Sequence, residues 1–117
     1  MRIAQWGEMT EDFLQRLRQA TVRRCKEWRT PTDDLGYLTV DFVGEVSELA
    51  LTIKKLLRER HGMVGSRATM QDVADQVSDV MASLDQLCHH LGIDIEEVTR
   101  DKFNRMSERY NLQTRLT

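Results

Sequence analysis

From residue 39 to residue 60 apolar side chains return every three or four positions: Phe42, Val43, Val46, Leu49, Ala50, Ile53, Leu56 and Leu57. That period marks an amphipathic helix and not a strand. The rhythm recurs three more times. Phe13, Leu14, Leu17, Ala20, Thr21, Cys25 and Trp28 trace a first helix. It opens at Thr10-Glu11-Asp12, where acids suit the positive end of the helix dipole, and ends near Arg29. Val73, Val77, Val80, Met81, Leu84, Leu87, Cys88 and Leu91 trace a third helix from about Met70 to Leu91. Thr69 with Asp72 opens it as a capping box and Gly92 stops it. A fourth helix carries Ile95, Val98, Phe103, Met106 and Tyr110 behind an Asp94–Glu97 cap. The turn 30–36 and the glycine-containing loop 61–68 separate the patterns. The expectation is all-α: a four-helix antiparallel bundle forming one domain over 1–117, with an irregular lead-in over 1–9 and a tail over 111–117.

The polar positions carry the chemistry. Asp41, Glu45, Glu48 and Thr52 share one face of the second helix, since residues three and four apart are neighbours. Asp72, Asp75, Gln76, Asp79 and Ser83 share a face of the third. Like charges one turn apart repel, and a bound cation reverses that penalty. Two such helices side by side would assemble an oxygen-rich site suited to magnesium. An ordinary solvated face, or carboxylates bridging helices, has the same spacing. Gly44, in mid-helix beside Glu45, costs about 1 kcal/mol against alanine, which suggests close approach by a backbone or ligand.

Composition narrows the classes. In 117 residues, 40% hydrophobic and 31% charged content with a single proline fit a helical globular domain. Seventeen basic and nineteen acidic residues leave a formal charge of −2, which argues against a surface devoted to nucleic acid. Cys25 and Cys88 are too few for a disulfide framework, so a reducing cytoplasm is expected. No apolar run is long enough to span a bilayer, no secretory signal pattern is visible, and no membrane partner is expected. Cys88-His89-His90 is not read as a zinc tract, because adjacent helical residues point in different directions. No nucleophile elbow or phosphate-binding glycine loop is present.

Taken together, Val43-Gly44-Glu45-Val46-Ser47-Glu48-Leu49-Ala50, Val77-Ser78-Asp79-Val80-Met81 and the Leu91–Glu97 entry to the last helix resemble the MazG-like all-alpha nucleoside triphosphate pyrophosphohydrolases. The resemblance spans residues 11–110, and Lys102-Phe103-Asn104 through Arg115-Leu116 looks like a small bacterial and phage branch. It implies a metal-binding Glu-x-x-Glu pair followed by a Glu-x-x-Asp pair. Glu45 and Glu48 match the first pair and Asp79 the last ligand; Gln76 departs from the pattern. An amide oxygen can coordinate magnesium but brings no charge. Asp75 or Asp72, four and seven residues before Asp79, would compensate for that loss.

The resemblance further implies magnesium- or manganese-dependent hydrolysis of a nucleoside triphosphate to monophosphate and pyrophosphate, by a homodimer or homotetramer. Glu45, Glu48 and Asp79 would be the catalytic carboxylates. Lys102 and Arg109 would contact phosphate, with Asn104 and Lys55 as further substrate contacts. Trp28 matches an aromatic lying against the base, although closing a core stripe accounts for it equally well. Ser83 stands where some relatives have a second aromatic, and Met106 where many have asparagine. The alternative is a catalytically weak or silent nucleotide- or protein-binding module, with Gln76 as its signature. A helical nucleic-acid binder using the basic residues between Arg16 and Arg29 ranks last on net charge.

Overall fold

The computed structural model describes residues 13–117. The lead-in and the Thr10 helix start lie outside them. Four helices follow in order, α1 (Phe13–Trp28), α2 (Leu35–Arg58), α3 (Met70–Leu91) and α4 (Ile95–Arg109), and the described residues contain no strand. The class is all-α.

The helix ends follow local chemistry. Arg29 adopts a left-handed φ of 57°, and Thr30 N–H turns back to the Cys25 carbonyl, ending α1. The second helix begins four residues earlier than its apolar period indicates. Asp34 accepts a hydrogen bond from Tyr37 N–H, so Gly36 and Tyr37 lie inside the first turn of α2 rather than in the connection. The Thr69–Asp72 capping box forms in both directions at the head of α3. Gly92, at φ 69°, closes its end with hydrogen bonds to the Cys88 and His89 carbonyls.

α2 and α3 form an antiparallel hairpin, and α1 lies along α3. Leu38, only 1% exposed, packs at the core with Cys25, Ala82 and Cys88. Phe42, Leu49 and Leu56 line the inner side of α2. The core also holds a charge that its sequence pattern concealed. Asp85 is 2% exposed, and Nε of Arg18 donates to both of its oxygens at 3.0 and 3.1 Å. Nη1 of Arg18 reaches Nδ1 of His89 at 3.0 Å, and Nδ1 of His90 donates to the Thr32 carbonyl at 2.9 Å. The Arg18 side chain is thus a bolt between α1 and α3.

A closed four-helix bundle is not formed by one chain. α4 packs along none of the other helices; its first turn faces α1 across an open cleft, and its far end holds the tail. The Asn104 amide donates to the Leu116 carbonyl and accepts from Leu116 N–H, as a backbone strand would. The radius of gyration is 17.4 Å, against about 13 Å for a compact chain of this length. The accessible surface is 9385 Å², against about 6,600 Å² for a compact protein of this mass. Large apolar side chains lie on that surface. Val40, Val43, Val46, Leu51 and Ile53 of α2, Val77 of α3 and Phe103 of α4 are all exposed. α2 therefore carries two apolar faces, one on α3 and one on solvent, where a single buried stripe was expected.

Candidate functional site

The hydroxyl of Ser83 donates to the Asp41 carboxylate at 3.0 Å, which fixes the register of α2 against α3. One turn along this antiparallel pair Glu45 comes level with Asp79, and one turn further Glu48 comes level with Gln76. The two acidic faces expected from spacing therefore meet.

At their meeting point two acceptor atoms are stranded. Oε2 of Glu45 and Oε1 of Gln76 are buried and have no hydrogen-bond partner. Oxygens of this kind need a donor or a cation, and isolation from both is costly. Burial pushes the Glu45 carboxyl above its ordinary value, and the charges of Glu48, Asp79 and Asp41 push it further in the same direction. Three further carboxylates thus act on Glu45. The ionised form of Glu45 is therefore disfavoured, and a divalent cation beside it would reverse that penalty.

Glu45 also lines a cleft of about 290 Å³, together with Asp41, Asp79, Trp28, Tyr37 and Arg24; Gln76 and Glu48 lie outside its lining. Trp28 is 72% exposed, so it is not closing a core stripe; its ring lies under the Arg24 guanidinium at 5.2 Å. Acids and aromatic rings lining one cleft suit a ligand that is polyanionic in one part, through a metal, and flat in another.

The residues that could hold a hard cation are Glu45, Gln76, Asp79 and Glu48. Among the described residues no three His, Cys, Asp or Glu side chains already converge closely enough to cage a metal ion. Magnesium needs no such cage, because it keeps several waters and takes one or two carboxylates together with substrate oxygens. The two stranded acceptors, both oxygens and one of them charged, fit that demand.

The remaining expected contacts lie elsewhere in the chain. Lys102, Asn104 and Arg109 sit on α4, away from the cleft. Asn104 is engaged by Leu116, and the Arg109 guanidinium lies over the Tyr110 ring at 5.6 Å. Lys55 is near Asp72, whose carboxyl is held low chiefly by the Thr69 N–H and hydroxyl and to a smaller extent by Lys55. Asp75 accepts from the Gln71 amide, and neither it nor Asp72 lines the cleft. Among the described residues, nothing beyond the helix's own backbone and its chain neighbours approaches within 4 Å of where a Cβ on Gly44 would stand, so the expected close contact is not made there. Tyr37 and Arg24 were not anticipated as cleft residues. Asp41 lay one turn before Glu45 and could have been placed; Tyr37 could not, with the helix start set after it.

Comparison with known proteins gives one informative relative. The chain is 31% identical over 77 residues to the "Gene 37 protein" of Mycobacterium phage L5, a match covering 66% of this chain and 67% of that protein. No family model matches the chain. No solved structure matches it.

Proposed function

We propose that this chain, which belongs to the same family as the Gene 37 protein of Mycobacterium phage L5, is a magnesium-dependent nucleoside triphosphate pyrophosphohydrolase of MazG-like type. The observation that carries the reading is the pair of buried, partnerless oxygens on Glu45 and Gln76, of which Glu45 feels the charges of Glu48, Asp79 and Asp41 and lines a cleft shared with Trp28 and Tyr37. Such a cleft suits a metal-bound triphosphate with its base against Trp28 and Tyr37.

When bound, magnesium would neutralise phosphate charge and make a water more acidic. The chain's own part is positioning. Glu45 and Gln76 offer inward oxygens, Asp79 and Glu48 supply charge at the same level, and the Ser83–Asp41 bond keeps the helices in register. Arg24 holds Trp28 at the cleft mouth. Lys102 and Arg109 enter this reading as phosphate contacts brought by α4 of another subunit, in a homodimer or homotetramer acting on the cytoplasmic nucleotide pool.

Pyrophosphate release across a panel of nucleoside triphosphates with magnesium tests the proposal. Release by the native protein, increased by Gln76→Glu and lost in Glu48→Ala, is the expected result. The uncharged Gln76 and the lack of a preformed metal cage favour a second reading, a nucleotide-binding module without turnover. Nucleotide binding with no release from either the native protein or Gln76→Glu would establish that reading and end the first.

A further inference from the structure

A second cavity, of about 220 Å³, opens between α1 and α3, and Thr30 and Gln86 line both it and the cleft that holds Glu45. Its charge is of the opposite sign. Arg18, Lys26, Arg29, His89 and His90 line it against a single acid, Asp85. In a chain of formal charge −2 this is a local concentration of cations, not the general surface. Asp85 is already answered, because Nε of Arg18 donates to both of its oxygens. The charge left over is positive.

Lys26 and Arg29 have no ion pair and no side-chain hydrogen bond among the described residues. The usual duty of a cation at a helix end is to hold the last carbonyls. Here those acceptors are taken by backbone. At the end of α1, Thr30 N–H donates to the Cys25 carbonyl and Arg29 N–H to that of Lys26. At the end of α3, Ile93 N–H donates to the Cys88 carbonyl and Gly92 N–H to that of His89. His90 occupies the Thr32 carbonyl. The two free cations therefore have nothing within the described chain to neutralise. Further donors stand beside them. The side chains of Thr30, Thr32 and Gln86 are uncommitted among the described residues. His89, which accepts from Arg18 at Nδ1, keeps its N–H at Nε2.

We infer that this pocket binds a phosphate-class oxyanion, at a site separate from the acidic cleft. A compact anion with several oxygens accepts from a guanidinium, an ammonium and hydroxyls together, and charge-assisted bonds of that kind are the strong ones. A cationic ligand would add to the repulsion, and an apolar one would desolvate Lys26 and Arg29 without return. The site needs no metal and uses none of Glu45, Glu48, Gln76 or Asp79, so it does not depend on the catalytic reading.

The test is isothermal titration calorimetry of the full chain in EDTA, with inorganic phosphate, pyrophosphate and a nucleoside monophosphate as probes. Saturable binding of at least one of them is expected. Lys26→Gln and Arg29→Asn should each weaken it about tenfold, the loss of one charge-assisted contact. Asparagine is chosen because it tolerates the left-handed φ of 57° at position 29. Arg23→Gln removes the same charge from an exposed position of α1 outside the pocket and should leave binding unchanged. Circular dichroism confirms helicity in each variant. With that dependence in place, tighter binding of the monophosphate assigns the oxyanion to a nucleotide, and tighter binding of an inorganic probe assigns it to the free ion; both support the site. No binding of any probe overturns the inference. So does binding that ignores Lys26 and Arg29, or that Arg23→Gln weakens equally. Pyrophosphate release with magnesium, measured separately, decides the catalytic proposal and can fail without touching this one.

Discussion

Ser83 on α3 donates to Asp41 on α2 at 3.0 Å, and this one bond, between two polar side chains in a largely apolar contact, sets which acids face which. A sliding hairpin would still bury Phe42 and Leu49, but it would separate Glu45 from Asp79. Ser83→Ala should cost about 1.5–3 kcal/mol in urea denaturation, as expected for a hydrogen bond to a charged acceptor. It should also reduce pyrophosphate release by more than the stability loss alone explains.

A carboxylate at position 76 would restore charge to the stranded amide oxygen. Gln76→Glu should lower stability by about 1 kcal/mol without divalent cation, because it adds a further repelling acid. With magnesium the order should reverse, through affinity raised about tenfold. Thermal melts with and without the metal read both effects.

The pH dependence follows from Glu45. Its folded carboxyl lies above the ordinary value of 4.5, with burial as the first cause. Between that value and the raised one the folded chain still holds a proton that the unfolded chain has released. Stability therefore falls as pH rises through this window. Glu45→Gln should flatten that fall when the two proteins are melted side by side. At neutral pH magnesium should raise the melting temperature of the native chain and do much less for Glu45→Gln.

Arg18 and Asp85 should behave as a unit. Arg18→Met leaves a carboxylate buried without its partner and should cost about 3 kcal/mol. Adding Asp85→Leu removes the stranded charge and should recover most of the loss. Chemical denaturation of the two single variants and the double variant gives the coupling directly.

What was legible in the sequence was whatever repeats locally. The Thr69 and Asp94 caps, the Gly92 stop and the bounds of α3 are decided by neighbours a few residues away, and they stand as read. The start of α2 was missed because Gly36 resembles a breaker, while the Asp34 side chain makes it the first turn of a helix. The fate of each face was not legible at all. Val43 and Leu49 are equally apolar, yet one is exposed and the other is covered, because only the third dimension assigns α3 to a side. Asp85 was hidden for the same reason: its partner Arg18 lies 67 residues away. The acids at 45, 48 and 79 were legible as faces. That they meet depends on the Ser83–Asp41 contact between residues 42 apart.

Two adjacent imidazoles carry opposite duties. His89 must accept from the Arg18 guanidinium at Nδ1, so its proton belongs on Nε2; His90 must donate from Nδ1 to the Thr32 carbonyl. Nitrogen-15 resonances of the two rings should therefore differ in tautomer, although the residues share a helix end. Each ring becomes a built-in reporter, His89 for the seating of α1 and His90 for the turn that launches α2. A ligand that loosens one seam without the other would announce itself in a single spectrum.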